Sequence, residues 1–349
     1  MTTDTLDLKT RWSDLLREQP KLRIRDAATQ LGVSEVELLA TRCGDSVVRL
    51  EAAWPELIKT FPRLGEVMCL SRNEAAVHER YGTFTDEIAF IHGFGQITGP
   101  HIDLRLFMSH WHFGFAVTDA TDEGPRRSLH FFDADGTAIH KIFLNADSNA
   151  AVFDEIVEKY RSTNQADTQL VLPAPKLPAD RPDSVIDVEG FQKGWLATGD
   201  THEFFGLLKK FGVGRHQALR LAPPGYSQAV SIEATQKMLE AASAKQVPIM
   251  VFVGSPGCLQ IHTGPVTNIK RFGGNWINVL DDKFNFHLNE TLVANAWVVR
   301  KATRDGDVTS LELFDAQGEN LVLFFGKRKP GEPEDPAWRS IVAELPVLS

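Results

Sequence analysis

Two nine-residue blocks lie 182 residues apart: 128–136 reads SLHFFDADG and 310–318 reads SLELFDAQG. In a chain of 349 residues that spacing is close to half the length. Whatever architecture one half adopts, the other is expected to repeat. Gly99-Pro100 likewise matches Gly264-Pro265, and Trp111 and Trp276 follow at the same distance. This second pair has an offset of 165, so a diverged tandem repeat calls for 17 additional residues between the landmarks of the second copy. At mid-chain, 173–182 reads PAPKLPADRP. Its proline density suits neither helix nor sheet interior and predicts a semi-rigid linker. The expected organisation is an N-terminal half over 1–172, a linker over 173–185 and a C-terminal half over 186–349.

Hydrophobic patterning gives the class of each half. In the second copy Trp297-Val298-Val299 leads to Arg304-Asp305-Gly306-Asp307 and then to the run 309–314. Asp-Gly between two strand-like runs is a hairpin signal. After Asp315-Ala316-Gln317-Gly318, the run 321–325 (LVLFF) forms a third strand, apolar on both faces, so the sheet is expected to be covered on both sides. Short connections imply an antiparallel meander. The fold class is α+β, a tandem repeat with an antiparallel sheet and helices in each half.

Composition narrows the function. Hydrophobic residues at 43% suit a substantial core, and a net charge of −9 argues against broad attraction to nucleic acid or anionic membrane. Cys43, Cys69 and Cys258 form no CxxC pair, so neither a disulfide framework nor a thiolate zinc site is indicated. The start MTTDTLDLKTRW has no apolar core of a signal peptide, and no apolar run reaches membrane-spanning length. A cytoplasmic location without membrane insertion is expected. One rival function resides in 26–39, which reads as helix, glycine turn and helix, with a capping-box spacing at Ser34 and Glu37. It resembles a DNA-binding helix-turn-helix. Its second helix, however, opens with Glu35 and Glu37, which repel phosphates, and a packing pair is the preferred reading.

The most informative helix is 199–212, GDTHEFFGLLKKFG. Asp200 or Thr201 can cap it, Asp200 and Glu203 have the reciprocal capping spacing, and Gly212 sits at the expected stop. Phe204, Leu207, Leu208 and Phe211 define a core-facing stripe. His202, Gly206 and Lys209 fall on the opposite side, with Phe205 at its edge. Glycine within a helix costs about 1 kcal/mol relative to alanine, so Gly206 needs a compensating reason. One is close approach of a flat ligand, with His202 as anchor and Phe205 as apolar wall. The other is a surface histidine beside a glycine that admits a neighbouring helix. The helix N-terminus disfavours imidazolium and keeps a lone pair available.

The segments GDTHEFFGLLKKFG, VRKATRDGDVTSLELFDAQGE (299–319) and FGKRKPGEPEDPAW (325–338), with RDAATQLGVSEVELLA near the N-terminus, together resemble the bacterial cytoplasmic haem-trafficking and haemin-degrading proteins. These accompany haem-uptake transporters, and the resemblance spans the chain. It implies haem, iron protoporphyrin IX, as the bound group, with His202 as proximal iron ligand. It implies Arg328 on the distal side and Lys301 and Arg105 for the propionates, Arg300 competing with Lys301. Gly206 and Phe205 complete the implied binding face. A guanidinium fork matches a carboxylate, and imidazole is a suitable axial donor. The implied function is to receive imported haem and pass it on, or to degrade it and release iron. A transporter and a downstream haem oxygenase or reductase would be partners, and reductant would be external, since no flavin or nicotinamide motif is present. Some members carry a tyrosine near the distal strand, whereas 321–325 has none. The first half shows no clear copy of the His202 helix, and ten residues after Gly136 stands Ala146, where Arg328 follows Gly318. One haem site borne mainly by the second half is therefore expected.

Three other constellations carry less. His110-Trp111-His112 would present two rings on one strand face, but no third ligand of matching spacing accompanies them. His78 is a candidate secondary haem ligand by residue type alone. Gly254-Ser255-Pro256-Gly257 lacks a nucleotide-loop pattern and reads as a strand-ending turn.

Overall fold

Three short helices, a first strand and a further helix precede the main sheet in each half. A computed structural model describes residues 5–176, 179–329 and 331–348; Leu177 and Pro178 of the expected linker lie outside these. The chain divides into two units. One comprises 1–72, 79–176 and 255–260, and the other 73–78, 177–254 and 261–349.

The first half runs α1 (Thr5–Glu18), α2 (Ile24–Leu31), α3 (Glu35–Ala40), β1 (Val47–Arg49) and α4 (Trp54–Ile58). It continues with β2 (Gly65–Arg72), β3 (Ala76–Thr83), β4 (Ile88–Ile91), β5 (Phe94–Ile97) and β6 (Asp103–Phe107). It closes with β7 (Phe113–Thr121), β8 (Gly124–Phe132), β9 (Ala138–Ser148) and α5 (Ala150–Lys159). The second half repeats the order: α6 (Val188–Leu196), α7 (Glu203–Phe211), α8 (Arg215–Arg220), β10 (Ser227–Val230) and α9 (Ala234–Ala244). Then come β11 (Ile249–Ser255), β12 (Cys258–Gly264), β13 (Ile269–Phe272), β14 (Trp276–Asp281) and β15 (Phe284–Asn289). Last are β16 (Asn295–Lys301), β17 (Val308–Phe314), β18 (Asn320–Gly326) and α10 (Pro336–Ala343).

Pairing within each unit matches strand for strand. In the first, β1, β7, β8, β9 and β2 are neighbours in that order, all antiparallel. In the second, β10, β16, β17, β18 and β11 take the same places. The antiparallel meanders β4–β5–β6 and β13–β14–β15 correspond too. The α+β tandem repeat expected from the sequence is therefore present. Its fully covered strand is β17, buried at all seven positions, whereas Leu323 and Phe325 of β18 are half-buried.

The structure corrects the repeat register. Strands β3 and β12 begin 182 residues apart, as do β5 and β14, β7 and β16, and β9 and β18. No 17-residue insertion exists. Gly99-Pro100 follows β5, whereas Gly264 ends β12, and Trp276 opens the counterpart of β5 while Trp111 precedes β7. That resemblance was coincidental; only the 128/310 block reports true equivalence.

The helices carry a second correction. α7 does have a first-half copy, α2. Each ends on a left-handed glycine, Gly32 at φ 71° and Gly212 at φ 61°, 180 residues apart, and each is followed by a short helix, α3 or α8. Where α7 is preceded by His202, α2 is preceded by Leu22-Arg23. The pair 26–39 is thus a repeat element. Its capping box forms, Glu37 N–H donating to Ser34 Oγ at 3.2 Å and Ser34 N–H to Glu37 Oε2 at 2.8 Å. But Glu35, Val36, Leu38, Leu39 and Ala40 are buried, which leaves α3 no face to present to a DNA groove. The helix-turn-helix reading fails on that burial.

Gly32 isolates the backbone requirement, because a Cβ there meets nothing within 4 Å. Gly32→Ala should cost about 1–2 kcal/mol through its left-handed φ alone, read as a lowered urea midpoint with an unchanged slope.

Candidate functional site

The second unit's α6 (Phe191, Trp195), α7 (Phe204, Leu207, Leu208) and α8 (Ala218, Leu219) share one core cluster with Val299 of β16 and Phe314 of β17. This buries the predicted apolar stripe of α7, Phe211 being half-buried at its end. The opposite face is bare. His202, Phe205, Gly206 and Lys209 are exposed, Phe205 at 74%. A Cβ on Gly206 would meet nothing within 4 Å. That excludes a neighbouring helix as the reason for this glycine.

His202 immediately precedes the first residue of α7, with its side chain 88% exposed. Asp200 does not form the expected capping box with Glu203. Its Oδ1 accepts from the His202 backbone N–H at 2.8 Å and lies 2.6 Å from the His202 ring Nδ1. Glu203 instead accepts from the Gly199 N–H at 2.9 Å. The hydrogen bonds from His202, backbone first, hold the Asp200 carboxyl below the usual range. With Nδ1 engaged, the ring's other nitrogen, Nε2, is the available donor to a metal.

The loop before α7 is fixed to the end of β16. Trp195 Nε1 donates to the Arg300 carbonyl at 2.9 Å, Thr198 Oγ1 to the Ala302 carbonyl at 2.9 Å, and Arg304 N–H to the Gly199 carbonyl at 3.1 Å. The same β16–β17 turn meets Arg328. Its guanidinium lies 3.8 Å from Asp305, and its Nε is buried with no hydrogen-bond partner among the described residues. Arg328 and the His202 loop therefore border one turn, 302–307.

Lys301 is not a surface cation. It is 4% exposed, with Nζ donating to Glu312 Oε1 at 2.6 Å. Its Nζ lies 5.1 Å from the Phe204 ring centroid and 5.7 Å from that of Phe325. Arg215, which opens α8, donates to Glu312 Oε2 at 3.2 and 2.9 Å and lies 5.9 Å from the Phe204 ring. Two cations on one carboxylate leave a surplus positive charge behind the first turn of α7. Arg215 is the partly open member, its side chain 29% exposed. Neither Arg215 nor Glu312 was singled out from the sequence. The signal was there, since the repeat block places Glu312 where the first copy has His130.

Arg105 belongs to the first unit, on β6, where its Nη1 is bonded to Asp103 and to the Leu104 carbonyl. His110 closes a 3-10 turn rather than lying in a strand, with Nδ1 2.8 Å from Asp133 Oδ2. No group of three metal-ligating side chains occurs among the described residues. His78 is fully buried beside the Phe284 ring, at 5.0 Å between centroids, and is no surface haem ligand. Gly254–Gly257 joins β11 to β12 as a tight turn.

Burial raises the Glu312 carboxyl, but the Arg215 and Lys301 charges, with hydrogen bonds from Lys301 and Ser310, bring it down to about 2. A carboxyl depressed on folding contributes stability above its unfolded pKa and loses it as pH falls from about 4.5 towards 2. The urea midpoint should therefore drop between pH 6 and pH 3, and by less in Glu312→Gln. At neutral pH Glu312→Ala should cost about 3–5 kcal/mol, because buried Lys301 and half-buried Arg215 lose their partner.

A family model described as the haemin-degrading HemS.ChuX domain matches residues 32–160 and again 212–345. The chain is 36% identical over 331 residues to the hemin transport protein HemS of Yersinia enterocolitica, covering 94% of each. Among solved structures it is similar to holo-PhuS, a heme-binding protein from Pseudomonas aeruginosa. That match has 44% identity and a TM-score of 0.96, covering 99% of this chain and 100% of that one. It is also similar to ChuS, an E. coli heme oxygenase, at 35% identity and a TM-score of 0.87, covering 97% and 99%.

Proposed function

The chain belongs to the haemin-degrading HemS.ChuX family, and from that premise we propose that it binds haem in the cytoplasm through His202 and hands it on. The observation that carries this reading is the bare face of α7. An exposed imidazole has its Nδ1 held by Asp200, beside a glycine with open space above it. Those features fit a flat ligand with a metal at its centre. Phe205 would supply an apolar wall. Arg215, with Lys301 behind it, would supply positive charge to propionates. Bound haem would supply a redox-active iron.

The first unit lacks the corresponding equipment. Leu22-Arg23 precede α2 where His202 precedes α7, and the first unit's buried pair Glu35–Lys141 is charge-balanced. A single site on the second unit follows from this reading. The similarity to ChuS favours a second reading, degradation, in which Arg328 Nε, without a partner among the described residues, would serve as a hydrogen-bond donor. Delivery from a haem-uptake transporter and transfer to a downstream oxygenase or reductase belong to the same proposal.

Titration of the apo-protein with haemin, followed at the Soret band, tests the site. His202→Ala should weaken binding at least tenfold; unchanged affinity would sink the ligand assignment. Gly206→Leu should keep or raise the thermal midpoint, since leucine is the better helix former, while haem affinity falls. Adding reductant in air with catalase present separates the two readings. A persistent Soret band marks carriage, and its loss with a defined tetrapyrrole product marks degradation.

A further inference from the structure

We infer that Asp200 is a positioning residue for His202, setting the ring's orientation and keeping its proton on Nδ1 so that Nε2 faces outward with its lone pair. This rests on the proposed ligand role of His202 and adds a residue to it. One oxygen, Asp200 Oδ1, serves both groups: the backbone N–H at 2.8 Å and Nδ1 at 2.6 Å. Together they form a closed clamp spanning two residues. An 88% exposed imidazole otherwise samples several rotamers, each taking Nε2 to a different place. No other hydrogen bond among the described residues engages that ring.

The clamp has its own support. The Asp200 carbonyl accepts from the Glu203 N–H at 3.1 Å, and Glu203 returns a carboxylate to the Gly199 N–H. Gly199 and Thr198 are tied in turn to the β16–β17 turn. The carboxylate therefore stands on a braced loop. A charged acceptor on Nδ1–H also increases electron donation through Nε2, so its influence should extend from ring geometry to the strength of an iron–histidine bond.

A purely structural role is the competing account, with Asp200 serving only to cap the His202 N–H. Two variants of the full chain, loaded with haem, separate these. Asp200→Asn keeps an acceptor oxygen but loses the charge; Asp200→Ala loses both. Asp200→Ala should bind haemin about tenfold more weakly, and Asp200→Asn should recover most of that loss. In the ferrous protein both should show a lower iron–histidine stretching frequency by resonance Raman and a higher reduction midpoint than wild type. If both variants keep the wild-type frequency and midpoint while His202→Ala has lost haem, Asp200 is a cap only and the inference is overturned. If His202→Ala itself retains haem with wild-type affinity, the ligand reading fails first and Asp200 falls with it.

Discussion

A carboxylate with no solvent exposure, Glu312 on the central strand β17, organises the candidate site. An isolated charge at such a place would be strongly disfavoured; it persists because Arg215 and Lys301 both reach it, with Ser310 Oγ 2.8 Å from Oε1. Satisfying one oxygen pair ties three elements together: α8 through Arg215, β16 through Lys301, and β17 itself. The two cations then bracket Phe204, which also meets Trp195 edge-on at 4.5 Å. Phe204 is the second residue of α7, so the helix bearing the proposed ligand is pinned at the turn where position matters most.

The first unit fills the corresponding helix start and strand position with a different buried polar set. Glu35 opens α3 where Arg215 opens α8, and it pairs with Lys141 of β9. His130 takes the place of Glu312, 2.9 Å from Ser128 Oγ, with burial pushing its pKa well below the usual range, so it stays neutral. The repeat has kept a buried polar contact between short helix and sheet, but a carboxylate now opens the helix and a neutral histidine holds the strand position of Glu312. Pairing is what the fold demands; polarity is open to specialisation. Only the second unit combines a net positive junction with a histidine at the start of the preceding helix.

Much of this was legible in the sequence, and the limits have physical causes. The 128/310 block covers the buried end of β8 and the buried β17, where packing constrains side chains, so it kept its register. Gly-Pro and tryptophan sit at non-equivalent places in the two copies, Trp111 before β7 and Trp276 opening the counterpart of β5, and there the apparent second match misled. The periodicity of 204, 207, 208 and 211 correctly separated the buried face of α7 from the bare one. Capping was misread at Asp200 because spacing cannot tell which of two N–H groups a short carboxylate will reach, or that a ring nitrogen competes for it. The burial of Lys301 and the half-burial of Arg328 were not legible. A lysine at a strand end reads as solvated unless its carboxylate partner, eleven residues on, is known to face it.

Gly206 brings these strands of argument together. Nothing in its surroundings requires glycine: its Cβ position is open, and a helix-favouring residue there would stabilise α7 by up to about 1 kcal/mol. The helix tolerates the loss because its stability comes from elsewhere, from Phe204, Leu207 and Leu208 on one side and from the left-handed stop at Gly212. A helix anchored by a single face, and clamped at its first turn by buried charge, can leave the other face flat. Access to that face, rather than helix stability, is what a glycine at 206 preserves.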